Sequence, residues 1–432
     1  MFRLITRSRP RVRTMDEVFA HLEACKTEAE MRPYRDARAA WDGLYKGQKG
    51  LSLVKLFLKF EATKPSDPRI ISPREAILQL WLMMYVQPLE AAVKAVPDEE
   101  SWSVKGKSLQ EVEDALRPLF GRGGVAYEID QKRFDAHVNE FLRHVELEVF
   151  CAIFPNDADH LRWLFPKLWK MFGVSTFGLV VVLAFLRSSG EVTTSIGNLI
   201  INCFFFWYLV KYYLPEAKLL PKNEGDDAFG VVFGVTEEEF RKAVHLAARD
   251  LGLEADVIIK RNLDEAAFLA RYFSDQHVSV CDIKRALSKF HVSGKTVHTV
   301  REVKALAKAK ALSYCVSDWS TPCLWAVLSA ILKDTSDVDA DTNVKDCKRW
   351  SRGAVKQPTP PTMEVRYWVE RCQGITVAEQ MLFESQFEHG IPSRIDYPLD
   401  TGIDIMPAGF QLATYPSLLN AMDYVTITKL NA

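Results

Sequence analysis

Gly225-Asp226-Asp227 sits between two runs that each read as a short strand, Leu219–Asn223 and Ala228–Gly234. The spacing reads as strand, tight turn, strand, and it puts two adjacent carboxylates on the tip of a hairpin. Like charges about 4 Å apart cost roughly 4 kcal/mol at an effective dielectric near 20. A divalent cation bound at the tip removes that cost and turns it into affinity. Carboxylate oxygens suit Mg²⁺, which keeps waters and substrate phosphates as its other ligands. Gly225 permits the close approach or positive φ that such a turn needs. Alone, the tripeptide is a weak signal, and its weight depends on the segments that accompany it.

Three other segments do. Gly121, Gly123 and Gly124 mark a turn before Val125–Asp130, where Val125, Tyr127 and Ile129 alternate with Ala126, Glu128 and Asp130. This strand delivers Asp130 at its end. The string D-Q-K-R-F-D then places Asp135 a helical turn later, where both carboxylates can face one cleft. Such a pair is common by chance. Ser189-Gly190-Glu191-Val192-Thr193-Thr194-Ser195-Ile196-Gly197-Asn198 is a run of small hydroxyl and amide groups between a strand and a helix. These groups can bond a ribose hydroxyl or a phosphate without bulk; an ordinary helix cap is the alternative. Lys59-Phe60-Glu61 and Asp67-Pro68-Arg69-Ile70-Ile71-Ser72-Pro73-Arg74 form an extended basic loop. Its prolines prevent helix, and Lys59, Arg69 and Arg74 offer the cations a triphosphate needs.

A net charge of −1 over 432 residues carries no global nucleic-acid signature. Local patches do better: Arg3 to Arg13 at the start, Lys46, Lys49, Lys55, Lys59 and Lys64 further on, then Lys284, Arg285, Lys289, Lys295, Arg301, Lys304, Lys308 and Lys310. Each patch can meet a polyanion or be a solvated helix face, and the Arg-rich start can be an RNA-touching arm or a disordered tail. The eight cysteines occur singly with no C-x-x-C, which argues against a zinc site and for a reducing compartment. The apolar runs Phe177–Leu186 and Leu199–Leu214 fall short of the roughly 20 residues that span a bilayer. Both read as buried core, so no transmembrane segment is expected.

Residues 15–60 read mainly as helix, with Val54, Phe57 and Leu58 on one face. Ile77–Leu89 reads as an apolar helix, and another follows Asp130 through about Phe150. Gly173–Leu186 reads as β-rich. A helix runs from the Ser/Thr segment through Leu209, another over Glu237–Leu251 ends near Gly252, and Val257–Lys260 reads as a strand. From about Ser279 the chain is helix-rich, with Asp334–Asp346 and Gln357–Pro361 as exposed loops.

In their order along the chain, the four segments resemble motifs F, A, B and C of viral RNA-dependent RNA polymerases. The S-G-x-x-T-T-S-x-G-N string and the R-F-D ending of motif A are similar to the tombusvirus-like and flavivirus-like group. Leu44-Tyr45-Lys46-Gly47-Gln48-Lys49 resembles the segment upstream of motif F in tombusvirus-like enzymes. Phe268-Leu269-Ala270-Arg271 with Arg285–His291 resembles the motif E region of nodavirus-like enzymes. The resemblance covers about residues 40–320. Three positions depart from it: Lys132 replaces a small residue, Glu224 an asparagine, and Pro221 interrupts the strand before Gly225.

The resemblance implies an α+β right-hand polymerase with a small antiparallel palm sheet carrying the Gly-Asp-Asp hairpin. Residues 1–124 would be N-terminal arm and fingers, with motif F at 55–74. Residues 125–150 and 186–275 would be palm, 151–185 a fingers insertion, and 276–432 thumb and C-terminal region. Asp130, Asp226 and Asp227 would hold two ions, Mg²⁺ or Mn²⁺. Lys59, Arg69 and Arg74 would clamp the triphosphate. Asp135, Ser189, Thr194 and Asn198 would read the ribose 2′ hydroxyl, and Lys260 would be the general acid. Gly190, Lys49, Lys304 and Lys308 would touch RNA. The implied partners are a single-stranded RNA template, the nascent duplex, ribonucleoside triphosphates, other viral replication proteins and, through them, host membranes in the cytoplasm. The competing expectations are a reverse transcriptase, which shares the palm, and an inactive RNA-binding scaffold.

Overall fold

In the computed structural model, residues 1–39, 53–58, 70–175, 178–290, 297–341 and 354–392 are described. They divide into two compact units, one of Met1–Leu58 with Ile70–Leu263 and one from Asp264 onward. Residues 264–275, which the sequence grouped with the palm, fall in the second unit. Ala267–Phe268, Arg271–Tyr272 and Val280–Cys281 pair with one another there, and Arg271 is tied to Asp318 at 2.8 Å.

Among its described residues the first unit contains eight strands: β1 (Leu53–Leu58), β2 (Ile70–Ile71), β3 (Val125–Gln131), β4 (Lys170–Ser175), β5 (Val180–Ala184), β6 (Lys218–Glu224), β7 (Asp227–Phe233) and β8 (Ala255–Lys260). One sheet has the order β6-β7-β3-β8 and every pairing in it is antiparallel. Alternation along β3 sends Tyr127 and Ile129 into a core built with Phe205, Phe206 and Leu209 of helix Thr194–Tyr212 and Phe240 and Val244 of helix Glu237–Leu251. Asp130, of opposite parity, is exposed on the other face. Pro221 no longer conflicts with its strand, because β6 is the sheet edge, where a missing N–H costs no ladder bond. Helix Glu237–Leu251 opens with a Thr236/Glu239 capping box and closes on Gly252 at φ 72°.

The second sheet has the order β2-β1-β4-β5. Residues 53–58 were expected as helix and form a strand instead. Val54 packs inward while Lys55 and Phe57 are exposed, and parallel pairing to β4 supplies the backbone bonds a helix would have made. The hairpin β4–β5 agrees with the β-rich reading of 173–186, but its burial does not. Leu179, Val180 and Val182 are 63%, 63% and 65% exposed, because this sheet packs on one side only. Phe177 lies outside the described residues. Leu199–Leu214 is largely core, although Trp207 and Tyr212 are exposed.

Among the described residues one helix, Ala76–Lys94, is long and apolar enough to cross a membrane by length and composition. Here Leu78, Leu80, Leu82 and Leu89 are fully buried. In the second unit, helices Val300–Ser317, Leu324–Asp334, Met363–Gln373 and Val377–Ser385 surround Cys315, Leu324, Leu328, Trp368 and Phe383.

Candidate active site

The hairpin β6–β7 turns at Gly225-Asp226, with Gly225 at φ 62°, a conformation in which a Cβ would be strained. Glu224 and Asp227 face each other across the turn. On the next strand Ile129 lies opposite Ala228, so Asp130, next to last in β3, lies beside the turn. Register therefore brings Asp130 and Asp226 to one end of one sheet. Burial raises the Asp226 carboxyl above its ordinary range, and the neighbouring Asp135 and Asp130 push it the same way; a hydrogen bond from Asn198 opposes them.

This donor set fits a hard divalent cation. Among the described residues there is no ready-made group of three acidic, histidine or cysteine ligands. Mg²⁺ is characteristically held by one or two carboxylates, completing its shell with waters and phosphates rather than a protein cage. The crowding of Asp226, Asp130 and Asp135 is the electrostatic situation a cation relieves.

Asp135 sits in the short helix Phe134–His137 and is gripped from three sides. Ser189 Oγ donates to its Oδ2 (2.5 Å), Asn198 Nδ2 donates to its Oδ1 (3.1 Å), and the Arg187 N–H donates to its carbonyl (2.9 Å). The Thr194 hydroxyl turns elsewhere and donates to the Ser188 carbonyl (3.1 Å). Gly190, exposed at φ 105°, approaches Pro73 and Ile71. The Ser72 N–H also donates to the Ser189 carbonyl (2.8 Å), which staples the Ser189–Asn198 segment to the strand before Arg74.

Four expectations change. Arg74 is not a triphosphate clamp: its side chain is fully buried 3.6 Å from Glu191, and its Nη2 donates to the Leu168 carbonyl (2.6 Å). A guanidinium sealed inside the protein is not presented to a ligand. Lys260 is not placed for a general acid. It lies opposite Ala126, whereas Asp130 lies opposite Asp256; four residues of strand separate them, about 13 Å. Its amine is 3.9 Å from Glu128. Lys304 and Lys308 do not present free amines to RNA. They donate to the carbonyls of Asp334 (2.9 Å) and Val338 (2.6 Å), joining their helix to the end of the next. Lys46, Lys49, Lys59, Lys64, Arg69 and Lys295 lie outside the described residues.

Two groups of residues behind the site were not singled out from sequence. The first is a buried ionic cluster. Arg187 Nη1 bonds Glu146 Oε1 and Glu191 Oε1, both at 3.0 Å, and Arg143 Nη1 bonds Glu191 Oε1 at 2.8 Å. All four side chains are fully buried. Its signal was available: Leu142, Arg143, Glu146, Leu147 and Phe150 share one helical face, on which a charged i, i+3 pair is out of place unless satisfied. The second is Gln131 and Asn202. Asn202 Nδ2 donates to the carbonyls of Gly225 and Asp226, both at 3.2 Å, and Gln131 Nε2 donates to Asn202 Oδ1 at 3.4 Å. Of the three departures from the family pattern, Lys132 is paired with Asp256 (3.0 Å) and Glu254 (3.2 Å), and Glu224 lies 3.7 Å from Lys105.

Comparison with known proteins agrees with this geometry. The family model described as viral RNA dependent RNA polymerase matches residues 37–385, further toward the C-terminus than the motifs alone reached. The chain is 24% identical over 340 residues to the RNA-directed RNA polymerase of Pariacoto virus, a match covering 76% of this chain and 33% of that protein. It is 23% identical over 368 residues to that of Cucumber necrosis virus, covering 78% of this chain and 43% of the relative. With the enzyme of Turnip crinkle virus it shares 30% over 188 residues, 40% of this chain and 23% of the relative. The chain thus spans well under half the length of these relatives. Among solved structures, an insertion-loop deletion mutant of the RNA-dependent RNA polymerase of a human picorbirnavirus superposes with TM-score 0.59 at 14% identity, covering 76% of this chain and 68% of that one. That likeness is one of fold, a mixed helix-and-sheet polymerase fold. With four-fifths of its length matched by the family model and its acidic residues gathered at one sheet end, the chain belongs to the viral RNA-dependent RNA polymerase family.

Proposed function

We propose that this chain is the polymerase part of a positive-strand RNA virus replication enzyme, adding ribonucleotides to a growing strand on a single-stranded RNA template. The observation that carries this reading is the helix Thr194–Tyr212, whose Asn198 bonds the Asp135 carboxylate and whose Asn202, one turn later, bonds the carbonyls of Gly225 and Asp226. A sugar-reading cluster and a metal-binding turn are thereby held by one helix. Asp130, Asp226 and Asp227 would hold two divalent ions, Mg²⁺ or Mn²⁺, which when bound activate the 3′ hydroxyl and offset charge on the leaving pyrophosphate.

The chain's own residues supply position and selectivity. Ser189 and Asn198 hold the Asp135 carboxylate so that its remaining lone pairs accept from a ribose 2′ hydroxyl. A site built around that bond penalises a deoxyribonucleotide, which leaves the carboxylate without its donor. Lys59 and Arg69 remain the proposed triphosphate contacts. In right-hand terms the sheet β6-β7-β3-β8 would be the palm with its Gly-Asp-Asp hairpin, the rest of the first unit the fingers, and the second unit the thumb. Family membership supports, as further proposals, the nascent duplex and other replication proteins as partners. It likewise supports action in the host cytoplasm at membranes reached through those proteins.

The test is incorporation of labelled ribonucleotides on single-stranded RNA with Mg²⁺ or Mn²⁺, beside Asp226→Ala. Removing a ligand should cost on the order of a thousandfold in rate while thermal unfolding stays close to that of the parent protein. Near-parental activity in the variant would sink the assignment.

A further inference from the structure

Asn198 carries an amide whose two ends have nearly the same shape, so its neighbours decide which end faces which way. Arg187 Nε donates to Asn198 Oδ1 at 2.9 Å. A guanidinium can only donate and an ionised carboxylate can only accept. With Oδ1 committed to Arg187, Nδ2 is turned to Asp135. The flipped amide would set N–H against N–H on one side and oxygen against oxygen on the other.

Arg187 is itself immobilised. Its Nη1 is bonded to Glu146 and Glu191 at 3.0 Å each and is 3.4 Å from Thr193 Oγ1. Arg143 shares both carboxylates, at 3.3 Å to Glu146 and 2.8 Å to Glu191. The backbone of Arg187 also donates to the Asp135 carbonyl. One residue therefore fixes both the main chain of Asp135 and, through Asn198, its side chain, without reaching the ligand space itself.

We propose that Arg187 is a positioning residue for sugar selection: it locks Asn198 in the one orientation that donates to Asp135, and so sets how strongly the site prefers a ribonucleotide over its 2′-deoxy analogue. This rests on the reading that Asp135, Ser189 and Asn198 face the ribose. Arg187→Lys keeps the positive charge beside Glu146 and Glu191 but removes the Nε donor, which frees the amide to flip. A purely structural loss would lower incorporation of both sugars together, whereas loss of positioning lowers the ribonucleotide alone.

The experiment is single-nucleotide incorporation by the full chain, measuring kcat/KM for a ribonucleotide and for the matching deoxyribonucleotide. The proteins compared are the parent, Asp135→Ala, Arg187→Lys and the milder Glu146→Gln, each checked by thermal unfolding. Asp135→Ala should collapse the ratio. Arg187→Lys should lower it by about tenfold or more, the worth of one hydrogen bond to a charged group, with the deoxyribonucleotide rate nearly unchanged. Glu146→Gln, which keeps shape but loosens the hold on Arg187, should lower it a few-fold and serves alone if Arg187→Lys does not fold. An unchanged ratio in Asp135→Ala would overturn the ribose reading itself. A collapsed ratio there, with folded Arg187→Lys or Glu146→Gln keeping the parental ratio, would overturn the role of Arg187.

Discussion

Gly197→Ala adds one methyl group inside the helix Thr194–Tyr212, at a position where helix propensity alone favours the change by about 1 kcal/mol. The structure argues for the opposite sign. A Cβ at Gly197 would stand 2.3 Å from Glu146 Oε1 and 2.6 Å from both Arg187 Nη atoms. These are side-chain tips, which at a surface would swing away. Here both side chains are fully buried, and the two tips are bonded to each other at 3.0 Å. The methyl wedges between them, and retreat by roughly 1 Å to an ordinary contact takes the pair out of hydrogen-bonding range. Breaking a buried pair costs about 3–5 kcal/mol. Subtracting the propensity gain leaves a net loss of about 2–4 kcal/mol, or roughly 5–15 °C in Tm for a unit of this size. Thermal and denaturant unfolding of the purified variant measure it, and its ribose-to-deoxyribose ratio should fall as well. A variant as stable as the parent would refute the argument that this cluster is packed against the helix backbone.

Glu191 gives a pH dependence. Burial alone would raise its carboxyl, but Arg143, Arg187 and Arg74 outweigh burial and hold it at about 2 against an ordinary 4.5. Its stabilisation is therefore complete above the ordinary value and lost as pH falls from about 4.5 toward 2; Glu191→Gln should flatten that limb in denaturation curves and lower stability at neutral pH. Asn202→Leu leaves the carbonyls of Gly225 and Asp226 without their donor, costing about 1–3 kcal/mol, and should raise the Mg²⁺ concentration needed for half-maximal nucleotide incorporation; an unchanged Mg²⁺ titration would count against it. Lys260→Ala should leave the synthesis rate within about twofold of parental, since its backbone lies about 13 Å along the strand from the residue opposite Asp130; a loss of a hundredfold would restore it as an acid.

What was legible from sequence was what alternation and local chemistry fix. Val125–Asp130 could deliver Asp130 to a strand end only in the observed way, and Gly225 between two apolar runs could make only a tight turn. Ser189 and Asn198 were picked out by the family resemblance, since taken alone their segment read as an ordinary helix cap. The failures share a cause. Arg74 and Lys260 were assigned by charge and by order along the chain, but burial and register decide what a charge can reach. For Arg74 the deciding partners, Leu168 and Glu191, are about a hundred residues away. For Lys260 the deciding fact is a cross-strand register that no local pattern encodes. Val180 and Val182 misled in the other direction: an apolar run says that a strand forms, not that both faces are covered.

The ionic cluster raises a question of purpose that stability does not answer. Burying Arg143, Arg187, Glu146 and Glu191 carries a desolvation cost of several kcal/mol per ion, and apolar residues of similar volume often fold as well or better. What apolar residues cannot do is distinguish the two ends of an asparagine amide. Arg187 can, because its Nε–H is directional and its Nη1 is held by the Glu146 and Glu191 carboxylates. The same cluster reaches Arg74 through Glu191 at 3.6 Å and the segment before it through the Ser72–Ser189 bond. A displacement of Ser72 or Arg74 would therefore be felt at Asn198 through fixed side chains rather than through a fluid core. The charges impose on Asp135 a register that apolar side chains could not. That is why Gly197→Ala, which adds only a methyl group and touches no ligand, is expected to weaken sugar selection along with stability.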